Sequence, residues 1–514
     1  MLVKSYGGAV QGVDARIITI ETDVASSGGK FYLVGLPDNA VRESRYRMEA
    51  ALKNTGYKMT RMKVIVNMAP ADLQKEGSAY DLNLALGMLA GSGQINGDRL
   101  GEFMIMGELS LDGSVRPIKG VLPMAIEARK KGFKGIILPK ENAREAAIVN
   151  DIKVYGIESI IEAIDFLNDE CELRETKIDT RQEFYDNLNN YELDFSDVKG
   201  QENIKRALEI AAAGGHNVIL VGPPGAGKTM LAKRLPSILP PLNLHEALET
   251  TKIHSVAGTL PDNASLITSR PFRSPHHTVS DVALVGGGSF PQPGEISLAH
   301  NGVLFLDELP EFKRTVLEVL RQPLEERQVT VSRAKFTVNY PAGFMLVSSM
   351  NPCPCGYYNH PDKDCVCSPG VVQRYLNKVS GPLLDRIDIH VEVVPVDFNE
   401  LSSISKSENS LTIRERVIAS RQIQEKRFQD KNGIFSNAQM STRMVRSVCQ
   451  IDQAGKTLLK NAMEKLSLSA RAYDRILKVA RTIADLAGKD SIEIAHLAEA
   501  IHFRSLDRED WASS

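Results

Sequence analysis

Apolar and polar side chains alternate in short, regular stretches over residues 1–167 of the chain. A period of two, typical of half-buried strands, occurs at residues 15–22, 30–34 and 62–67. Helical spacing begins after Asp38, which is well placed to cap a helix, and occurs again around residues 82–89. This mixture of strands and helices predicts that residues 1–167 form an α/β domain of their own.

Three regions with different patterns follow. Residues 168–195 are polar, acidic and rich in asparagine, with little periodicity, which is typical of a linker. Residues 196–395 contain continuous apolar runs that predict buried parallel strands, and thus a second α/β domain. After residue 395 the spacing is helical, and residues 468–486 predict one strongly amphipathic helix. We therefore expect an α/β multidomain protein whose last part, residues 396–514, is helical.

Composition narrows the class of protein. The 514 residues are 43% hydrophobic and 25% charged, as in an ordinary globular protein. A formal net charge of −2 means that a nucleic-acid partner would have to meet a local basic patch. No apolar run approaches the roughly 18–20 residues of a membrane span, and we find no signal-peptide pattern at the N-terminus. Six cysteines are too few for a disulfide scaffold, so we expect a protein of the reducing cytoplasm without membrane association.

A glycine-rich turn between a predicted strand and a predicted helix gives the first indication of chemistry. It matches the pattern G-x-x-x-x-G-K-[ST], in which successive backbone N–H groups face phosphate oxygens. In this pattern Lys228 reaches the β- and γ-phosphates, and the hydroxyl of Thr229 holds Mg²⁺. The predicted nucleotide-binding residues are Gly222, Pro223, Pro224, Gly225, Ala226, Gly227, Lys228, Thr229 and Met230. The sequence therefore predicts an ATP and Mg²⁺ site; an ordinary strand-to-helix turn is the alternative.

Two carboxylates follow a second apolar strand, at residues 302–306. Active sites of parallel sheets lie at the carboxyl ends of their strands, so we expect Asp307 and Glu308 to lie near the glycine-rich turn. Asp307 is predicted to bind Mg²⁺ through water, and Glu308 to orient or deprotonate the water that attacks the γ-phosphate. The alternative is that both simply cap the helix that follows.

Four of the six cysteines occur in one loop, as Cys353, Cys355, Cys365 and Cys367. Four thiols in a loop that also holds glycine and proline predict a small tetrahedral Zn²⁺ site, with His360 as a spare ligand. The C-x-C spacing is tighter than the usual C-x₂-C. A reduced, metal-free cysteine-rich loop is therefore the alternative.

Several further features resemble AAA+ ATPases. A third apolar strand, residues 343–350, ends in Asn351, which matches the sensor-1 residue that contacts the γ-phosphate or the attacking water in that family. Residues 381–388 resemble a run of ring-forming members in which an arginine projects into the neighbouring subunit's site, which makes Arg386 the candidate arginine finger. Arg471, at the start of the amphipathic helix, matches the sensor-2 arginine of the AAA+ lid domain. For each arginine, an ordinary ion pair or surface position is the alternative.

Two additions to the predicted ATPase core resemble those of the AAA+ branch that holds magnesium chelatases and replicative helicase motors. One is an insertion at residues 270–295, resembling a helix-2 insert; its adjacent His276 and His277 are interpreted as loop residues. The other resembles a pre-sensor-1 hairpin with a basic tip. In ring members such additions point into the central pore, so Arg333 and Lys335 are predicted to meet DNA phosphates. A merely solvated turn is the alternative.

The first domain resembles the proteolytic domain of Lon-type proteases, at residues 106–113, 120–121 and 137–142. That family uses a serine and a lysine as its catalytic pair. Ser78, with Lys75 close by, lies near the position expected for the serine, but residues 122–124 hold no lysine where the family has one. The resemblance therefore implies a Lon-like (ribosomal S5 domain 2-like) fold without protease chemistry.

Over nearly its whole length the chain resembles the YifB/ComM family of magnesium-chelatase-like AAA+ ATPases. The resemblance is carried by the order of parts, a Lon-like domain, an ATPase and a helical lid, and by residues 273–278, 293–302, 307–312 and 351–356. It implies a homo-oligomeric ring, expected to be a hexamer, that acts as a helicase on single-stranded or branched DNA in natural transformation. The alternatives are a chelatase-like ATPase that remodels a protein partner and, despite the missing lysine, an ATP-dependent protease.

Overall fold

The structure of the protein is a computed structural model that describes residues 1–25, 28–187, 191–261, 265–288, 291–333, 336–358, 360, 363–395, 407–431, 433–466 and 468–504. The chain divides into two compact units. Unit 1 comprises Met1–Asn187, Asn243–Thr268 and Pro291–Pro293, and unit 2 comprises Leu188–Leu242, Ser269–Phe290 and Gly294–Ser514.

Numbered in chain order among the described residues, the strands are β1 (Leu2–Gln11), β2 (Asp14–Ala25), β3 (Phe31–Val34), β4 (Lys63–Ala69), β5 (Phe103–Ile105), β6 (Glu108–Leu109), β7 (Val115–Arg116), β8 (Gly135–Pro139), β9 (Lys153–Ile157), β10 (Val218–Val221), β11 (Phe272–Arg273), β12 (Gly286–Gly287), β13 (Gln292–Pro293), β14 (Val303–Leu306), β15 (Gln328–Arg333), β16 (Phe336–Pro341), β17 (Met345–Met350) and β18 (Ile389–Glu392).

Numbered in the same way, the helices are α1 (Asn39–Asn54), α2 (Asp81–Gly91), α3 (Val121–Lys130), α4 (Lys140–Ala146), α5 (Ile160–Leu167), α6 (Thr180–Asn187), α7 (Glu202–Gly214), α8 (Lys228–Arg234), α9 (Leu244–Ala257), α10 (Asp281–Val285), α11 (Glu295–Leu298), α12 (Arg314–Val319), α13 (Arg321–Glu326), α14 (Pro369–Leu376), α15 (Gly381–Leu384), α16 (Ser410–Phe428), α17 (Thr442–Val448), α18 (Gln453–Lys465), α19 (Ala470–Leu486) and α20 (Ile494–His502). Short 3₁₀ turns occur at Leu100–Glu102, Phe195–Asp197, Leu235–Ile238, Leu309–Glu311 and Asn437–Gln439.

A seven-stranded sheet forms the centre of unit 1, with the order β3-β4-β2-β1-β5-β8-β9 among the described residues. β2 pairs antiparallel with both β1 and β4, whereas the other neighbours run parallel. α2 is buried along its whole length, which fits a sequence that is apolar at most positions. Asp38 caps α1 as predicted, because its Oδ1 accepts the N–H of Val41 at 2.7 Å. The mixed α/β class predicted from the sequence is confirmed.

Helix α9 lies in the sequence range predicted for the second α/β domain, yet it groups with unit 1. The hydroxyl of Ser255 donates a hydrogen bond to Glu145, and the carbonyl of Ser255 accepts the N–H of Gly120 at 3.0 Å. Lys252 pairs with Asp14 at 2.7 Å. Burial raises the pKa of Glu145, so its charged carboxylate depends on donors such as the Ser255 hydroxyl and the N–H of Leu122. The position of α9 is therefore decided by side chains far apart in the sequence.

Part of the predicted linker is ordered as helix α6. The carboxylate of Asp179 accepts the N–H of Gln182 at 3.0 Å, and the hydroxyl of Thr180 donates to the carbonyl of Ile148 at 3.1 Å. Phe184 is buried in unit 1. Two helical turns with a single buried aromatic residue produce too little periodicity to be recognised in a polar stretch.

A five-stranded parallel sheet forms the core of unit 2, with the order β11-β14-β17-β10-β18 among the described residues. The three strands predicted from continuous apolar runs, β10, β14 and β17, are buried at every position. β17 pairs with both of the others, so the carboxyl ends of all three lie at the same edge of the sheet. The predicted parallel sheet is confirmed, and its topology brings together the segments that follow these strands.

The remainder of unit 2 contains a hairpin and a group of helices. β15 and β16 pair antiparallel, with Arg333 opposite Phe336, so a hairpin is present where one was predicted. The predicted amphipathic helix is α19, whose residues Ile476, Val479 and Ile483 are buried. Within the described ranges, no helix has the length and apolarity needed to span a membrane.

Candidate nucleotide site

The loop between β10 and α8 has a backbone that requires glycine. Gly225 and Gly227 have φ angles of +78° and +84°, in the left-handed region that side chains disfavour. A Cβ atom at Gly222 would lie 2.3 Å from the carbonyl oxygen of Val393. The glycines predicted to turn the backbone toward phosphate oxygens are therefore required by the shape of the loop itself.

Lys228 is buried at the start of α8. Its ammonium group donates to the carbonyl oxygens of Gly222 at 2.7 Å and Pro223 at 2.9 Å, and to Oδ1 of Asn351 at 3.1 Å. Burial lowers the pKa of Lys228, whereas the charges of the two carboxylates after β14 act in the opposite direction. The predicted phosphate-binding lysine and the predicted sensor-1 residue are thus in direct contact.

Asp307, directly after β14, connects the glycine-rich loop with the neighbouring strands. Its Oδ2 accepts a hydrogen bond from the hydroxyl of Thr229 at 2.6 Å, and its Oδ1 accepts one from Ser349. Hydroxyl and carboxylate oxygens are ligands that Mg²⁺ prefers, so this pair of side chains fits the predicted metal ion. Ser349 was missed by the sequence analysis, although a serine within the fully buried strand β17 was a usable signal.

Glu308 follows Asp307 with a φ angle of +54°, which is uncommon for a residue with a side chain. Its side chain is 58% exposed, and its backbone N–H donates to Oδ1 of Asp307 at 3.1 Å. Oε2 of Glu308 lies 3.5 Å from Nδ1 of His277, a residue that the sequence analysis interpreted as part of a loop. The predicted general base is therefore accessible at the same edge of the sheet, next to a histidine.

The two predicted arginines of the site differ in their surroundings. Arg386 is 7% exposed, and its guanidinium donates to the carboxylate of Glu325 and, at 2.5 Å, to the carbonyl of Pro382. Arg471, in the first turn of α19, has a 63% exposed side chain and lies 3.8 Å from the carboxylate of Asp385. Arg386 therefore forms an ion pair within the chain, whereas the side chain of Arg471 faces solvent.

The four cysteines predicted to bind Zn²⁺ lie together in the structure. Their sulfur atoms all lie within 4.8 Å of one another, with 3.3 Å between Cys353 and Cys355, 3.7 Å between Cys353 and Cys365, and 3.6 Å between Cys355 and Cys365. Cys367 completes the group. Sulfur ligands at about 2.3 Å from a tetrahedral zinc ion are about 3.8 Å apart, so these separations fit the metal. His360, the predicted spare ligand, is not part of this group among the described residues; its ring packs on a tyrosine.

The predicted DNA contacts fall outside what the structure describes. Arg333 is the last residue of β15, but its side chain lies outside the described residues, as does the whole of Lys335. Their contact with DNA stays a prediction.

The residues considered for protease chemistry have other partners. The hydroxyl of Ser78 donates to the carboxylate of Glu108. Lys75 is buried and donates to the carbonyl of Pro70, and burial lowers its pKa. Leu122, within the segment where Lon-type proteases have a lysine, is fully buried. The serine is thus paired with a carboxylate, and the lysine with a backbone carbonyl.

Comparison with known proteins identifies related sequences over the whole chain. Three family profiles match: "Magnesium chelatase, subunit ChlI" at residues 194–401, "Subunit ChlI of Mg-chelatase" at residues 20–142, and "Magnesium chelatase, subunit ChlI C-terminal" at residues 407–504. Competence protein ComM of Haemophilus influenzae is 43% identical over 98% of this chain and 97% of its own length. The protein YifB of Escherichia coli, described as uncharacterized, is 43% identical over 97% of this chain and 96% of its own length.

A more distant similarity covers only part of the sequence. The magnesium-chelatase 38 kDa subunit of Rhodobacter capsulatus is 28% identical over 177 residues, which are 31% of this chain and 50% of that subunit. Full-length similarity is thus seen with ComM and YifB, and partial similarity with the chelatase subunit.

Proposed function

Because the chain belongs to the YifB/ComM family of magnesium-chelatase-like ATPases, we propose that it is a Mg²⁺-dependent AAA+ ATPase that works as a homo-oligomeric ring on DNA. The observation that carries the ATPase part is the direct contact of Lys228 with Asn351 and of Thr229 with Asp307. Phosphoryl transfer requires a cation for the phosphates, ligands for Mg²⁺ and a group that activates water, all in one place.

Each side chain of the site has a role in this proposal. Lys228 neutralises charge on the β- and γ-phosphates of ATP, and the glycine-rich loop supplies backbone N–H groups to the same oxygens. Thr229 and Asp307 hold Mg²⁺, which stabilises negative charge on the phosphate oxygens. Glu308 accepts the proton of the attacking water, and Asn351 orients that water or the γ-phosphate.

Arginines complete the proposed site in the assembled ring. Arg386 acts on the γ-phosphate bound by the neighbouring subunit, and Arg471 acts from the helical part of its own chain. An arginine in such a position accelerates hydrolysis of the nucleotide by a factor of about 10³–10⁵. Since Arg386 is bonded to Glu325 within the chain, this role requires that assembly exchange that partner for the nucleotide.

The family resemblance also suggests a fold for unit 1 and a role for the C-terminal helices. We assign a Lon-like fold to unit 1, where a family profile matches residues 20–142, and a lid role to helices α16–α20, where another matches residues 407–504. We expect a hexamer, and a cytoplasmic location. The two domain assignments are supported by the order of the matching profiles along the chain, whereas the hexamer and the location are expected from the family resemblance and from composition.

Two observations support the proposed action on DNA. One relative that matches over nearly the whole chain is named a competence protein, which favours a role in natural transformation. From the family resemblance we propose that the chain acts there as a helicase that drives branch migration. A hairpin, β15–β16, is present in the segment whose sequence contains the two cations predicted to meet DNA phosphates. The alternative, an ATPase that remodels a protein partner as a chelatase subunit does, is supported by the three magnesium-chelatase profiles and by a pairwise match to a chelatase subunit over 31% of the chain.

ATP hydrolysis by the full-length protein is expected to rise when single-stranded or forked DNA is added, and to rise steeply with protein concentration. Both effects follow if each active site is completed by a neighbouring subunit and the ring closes on DNA. Phosphate release is measured over a range of protein concentrations, with and without each DNA, and at two salt concentrations. Because phosphate contacts release counterions, stimulation by DNA is expected to weaken at the higher salt concentration.

A double variant, Arg333→Ala with Lys335→Ala, tests whether stimulation depends on the predicted contact with DNA. It is expected to keep the DNA-independent rate and to lose the stimulation. If ATP turnover rises with protein concentration but is unchanged by DNA, the proposed action on DNA is contradicted and a protein partner is favoured. Absence of any hydrolysis by the unchanged protein would contradict the ATPase function.

We also propose that Cys353, Cys355, Cys365 and Cys367 hold one Zn²⁺ ion that stabilises their loop. Cys353 and Val372 are buried together, and the other three cysteines pack against this small core. A loop with so few buried side chains has little apolar surface to stabilise it, which is the situation in which structural zinc contributes most.

The purified protein is expected to contain about one zinc ion per chain, and Cys353→Ser is expected to lose it. Cys171→Ser is the matched control, since Cys171 is exposed and lies outside the cluster. Zinc is measured by elemental analysis, and loss of the metal should also lower the melting temperature. A zinc-free protein whose four thiols remain freely titratable would contradict this proposal.

A further inference from the structure

We propose that His277 is a positioning residue that orients the carboxylate of Glu308 toward the attacking water, an inference that rests on the proposed ATPase function. Nδ1 of His277 lies 3.5 Å from Oε2 of Glu308. A ring N–H that binds one carboxylate oxygen leaves the other oxygen available to accept a proton from water. Contacts of this kind are often long in the absence of substrate and shorten in the reacting complex.

The strand order explains why these two residues meet. β11 pairs in parallel with β14, with Phe272 beside Val303 and Arg273 beside Leu304. His277 follows the end of β11 and Glu308 follows the end of β14, so the two segments leave the sheet at the same edge. The histidine thus reaches the general base from the neighbouring strand, as Ser349 reaches Asp307 from β17.

The loop that carries His277 is anchored on both sides. Before it, the guanidinium of Arg273 forms two hydrogen bonds of 2.7 Å with the carboxylate of Glu295. After it, the hydroxyl of Ser280 accepts the N–H of Ala283 at 3.1 Å and so caps α10. Two-point binding by arginine fixes direction as well as distance, so the start of the loop has a defined geometry.

The imidazole ring of His277 is itself held in place. It packs on the ring of His276, with 4.1 Å between the ring centres, and meets the edge of Phe312 at 6.4 Å. Phe312 is buried and therefore provides a firm support. His276 makes its own hydrogen-bonding contact with Thr278 at 2.9 Å, not with Glu308. A supported ring can direct a carboxylate, which a freely rotating side chain cannot do.

His277→Ala is expected to lower the turnover number for ATP about 10–100-fold while leaving KM and nucleotide affinity unchanged, because it misplaces the base without removing it. His277→Asn places an amide N–H near the position of Nδ1 and is expected to restore most of the rate. Val282→Ala, at an exposed position in the helix α10 that follows the same loop, is the control and is expected to keep the rate within a factor of about two. All variants are full-length and are measured by steady-state and single-turnover hydrolysis.

A second comparison separates action through Glu308 from a general effect on the loop. In a Glu308→Gln background, His277→Ala is expected to cause no further loss of rate, since residues that act as one unit are not additive. A further loss equal to the loss that His277→Ala causes in the otherwise unchanged protein would overturn the inference, as would equal impairment of Val282→Ala. If the unchanged protein hydrolyses ATP and His277→Ala does so equally fast, this inference fails while the ATPase function stands. If the unchanged protein does not hydrolyse ATP, the proposed function itself fails.

Discussion

Glu308→Gln is expected to bind ATP as tightly as the unchanged protein and to hydrolyse it about 10²–10⁴ times more slowly. Glutamine has the shape of glutamate but cannot accept a proton from water. Its amide group can keep the position beside His277 that the carboxylate occupies, 3.5 Å from the ring, so the local structure should be kept. Because the side chain is 58% exposed at the edge of the sheet, the substitution should leave the free energy of unfolding nearly unchanged. Nucleotide affinity is measured with a fluorescent ATP analogue, and turnover by phosphate release.

Glu311→Gln is the matched control for this result. Glu311 lies in the same short turn, is exposed, and pairs with Lys378 at 3.3 Å. Its substitution removes the same charge three positions away and is expected to leave turnover unchanged. Normal hydrolysis by Glu308→Gln would remove Glu308 from the role of base. If both variants lose the same fraction of ATP turnover, the effect is due to the negative charge of this turn rather than to proton transfer by Glu308.

Asp388→Ala is expected to lower the free energy of unfolding by about 3–5 kcal/mol, because it leaves buried polar partners without a counter-charge. Asp388 is buried, with one oxygen 3.0 Å from Nδ1 of His216 and the other bonded to Arg475. Nε2 of His216 in turn lies 2.8 Å from the hydroxyl of Thr482. This network joins His216, two positions before β10, and Asp388, directly before β18, to helix α19, so its loss should loosen the helical part from the sheet of unit 2. Chemical unfolding monitored by circular dichroism measures the effect.

The pH dependence of stability gives the same network a second test. Burial by itself would raise the pKa of Asp388, but the charge of Arg475 and the hydrogen bond from His216 outweigh it and hold the pKa well below the usual range. A lowered pKa contributes stability that is fully present above the unfolded value of about 3.9 and is lost as the pH falls below it. The difference in unfolding free energy between the unchanged protein and Asp388→Asn should therefore shrink below about pH 4.

Asp385→Asn is the control for these measurements of stability. Asp385 is partly exposed and lies 3.8 Å from Arg471, a separation at which a surface ion pair contributes about 0–1 kcal/mol. A destabilisation of Asp388→Ala no larger than that of Asp385→Asn would contradict the role of the buried network.

Local pattern was enough to locate the chemistry of the candidate site. The glycine-rich loop, Asp307, Glu308 and the four cysteines were all predicted from residue type and spacing, and the structure brings the members of each group together. Buried parallel strands are near-continuous apolar runs, so their carboxyl ends are marked in the sequence by the polar or charged residues that follow. This is why the ends of β14 and β17 were recognisable.

Side chains that contact these residues from distant positions in the chain could not be recognised from local pattern. Ser349 bonds to Asp307 across 42 positions of sequence, and Asp388 lies against His216 across 172 positions. His277 was predicted only as a loop residue, because nothing in its own neighbourhood indicates that the strand before it pairs with β14. The burial of Arg386 against Glu325 was likewise invisible in the run of residues that suggested an arginine finger.

The sequence by itself determined the family, the mixed α/β class, the parallel sheet and the identity of the groups that are candidates for phosphate, Mg²⁺ and Zn²⁺ binding. These depend on periodicity and on short motifs, which are local properties of the chain. Only the tertiary structure decided that α9 packs in unit 1, that His277 lies beside Glu308, and that Asp388 ties helix α19 to the sheet. The physical reason is that strand order and side-chain packing join residues far apart in the sequence, and such contacts leave no periodic trace in either segment.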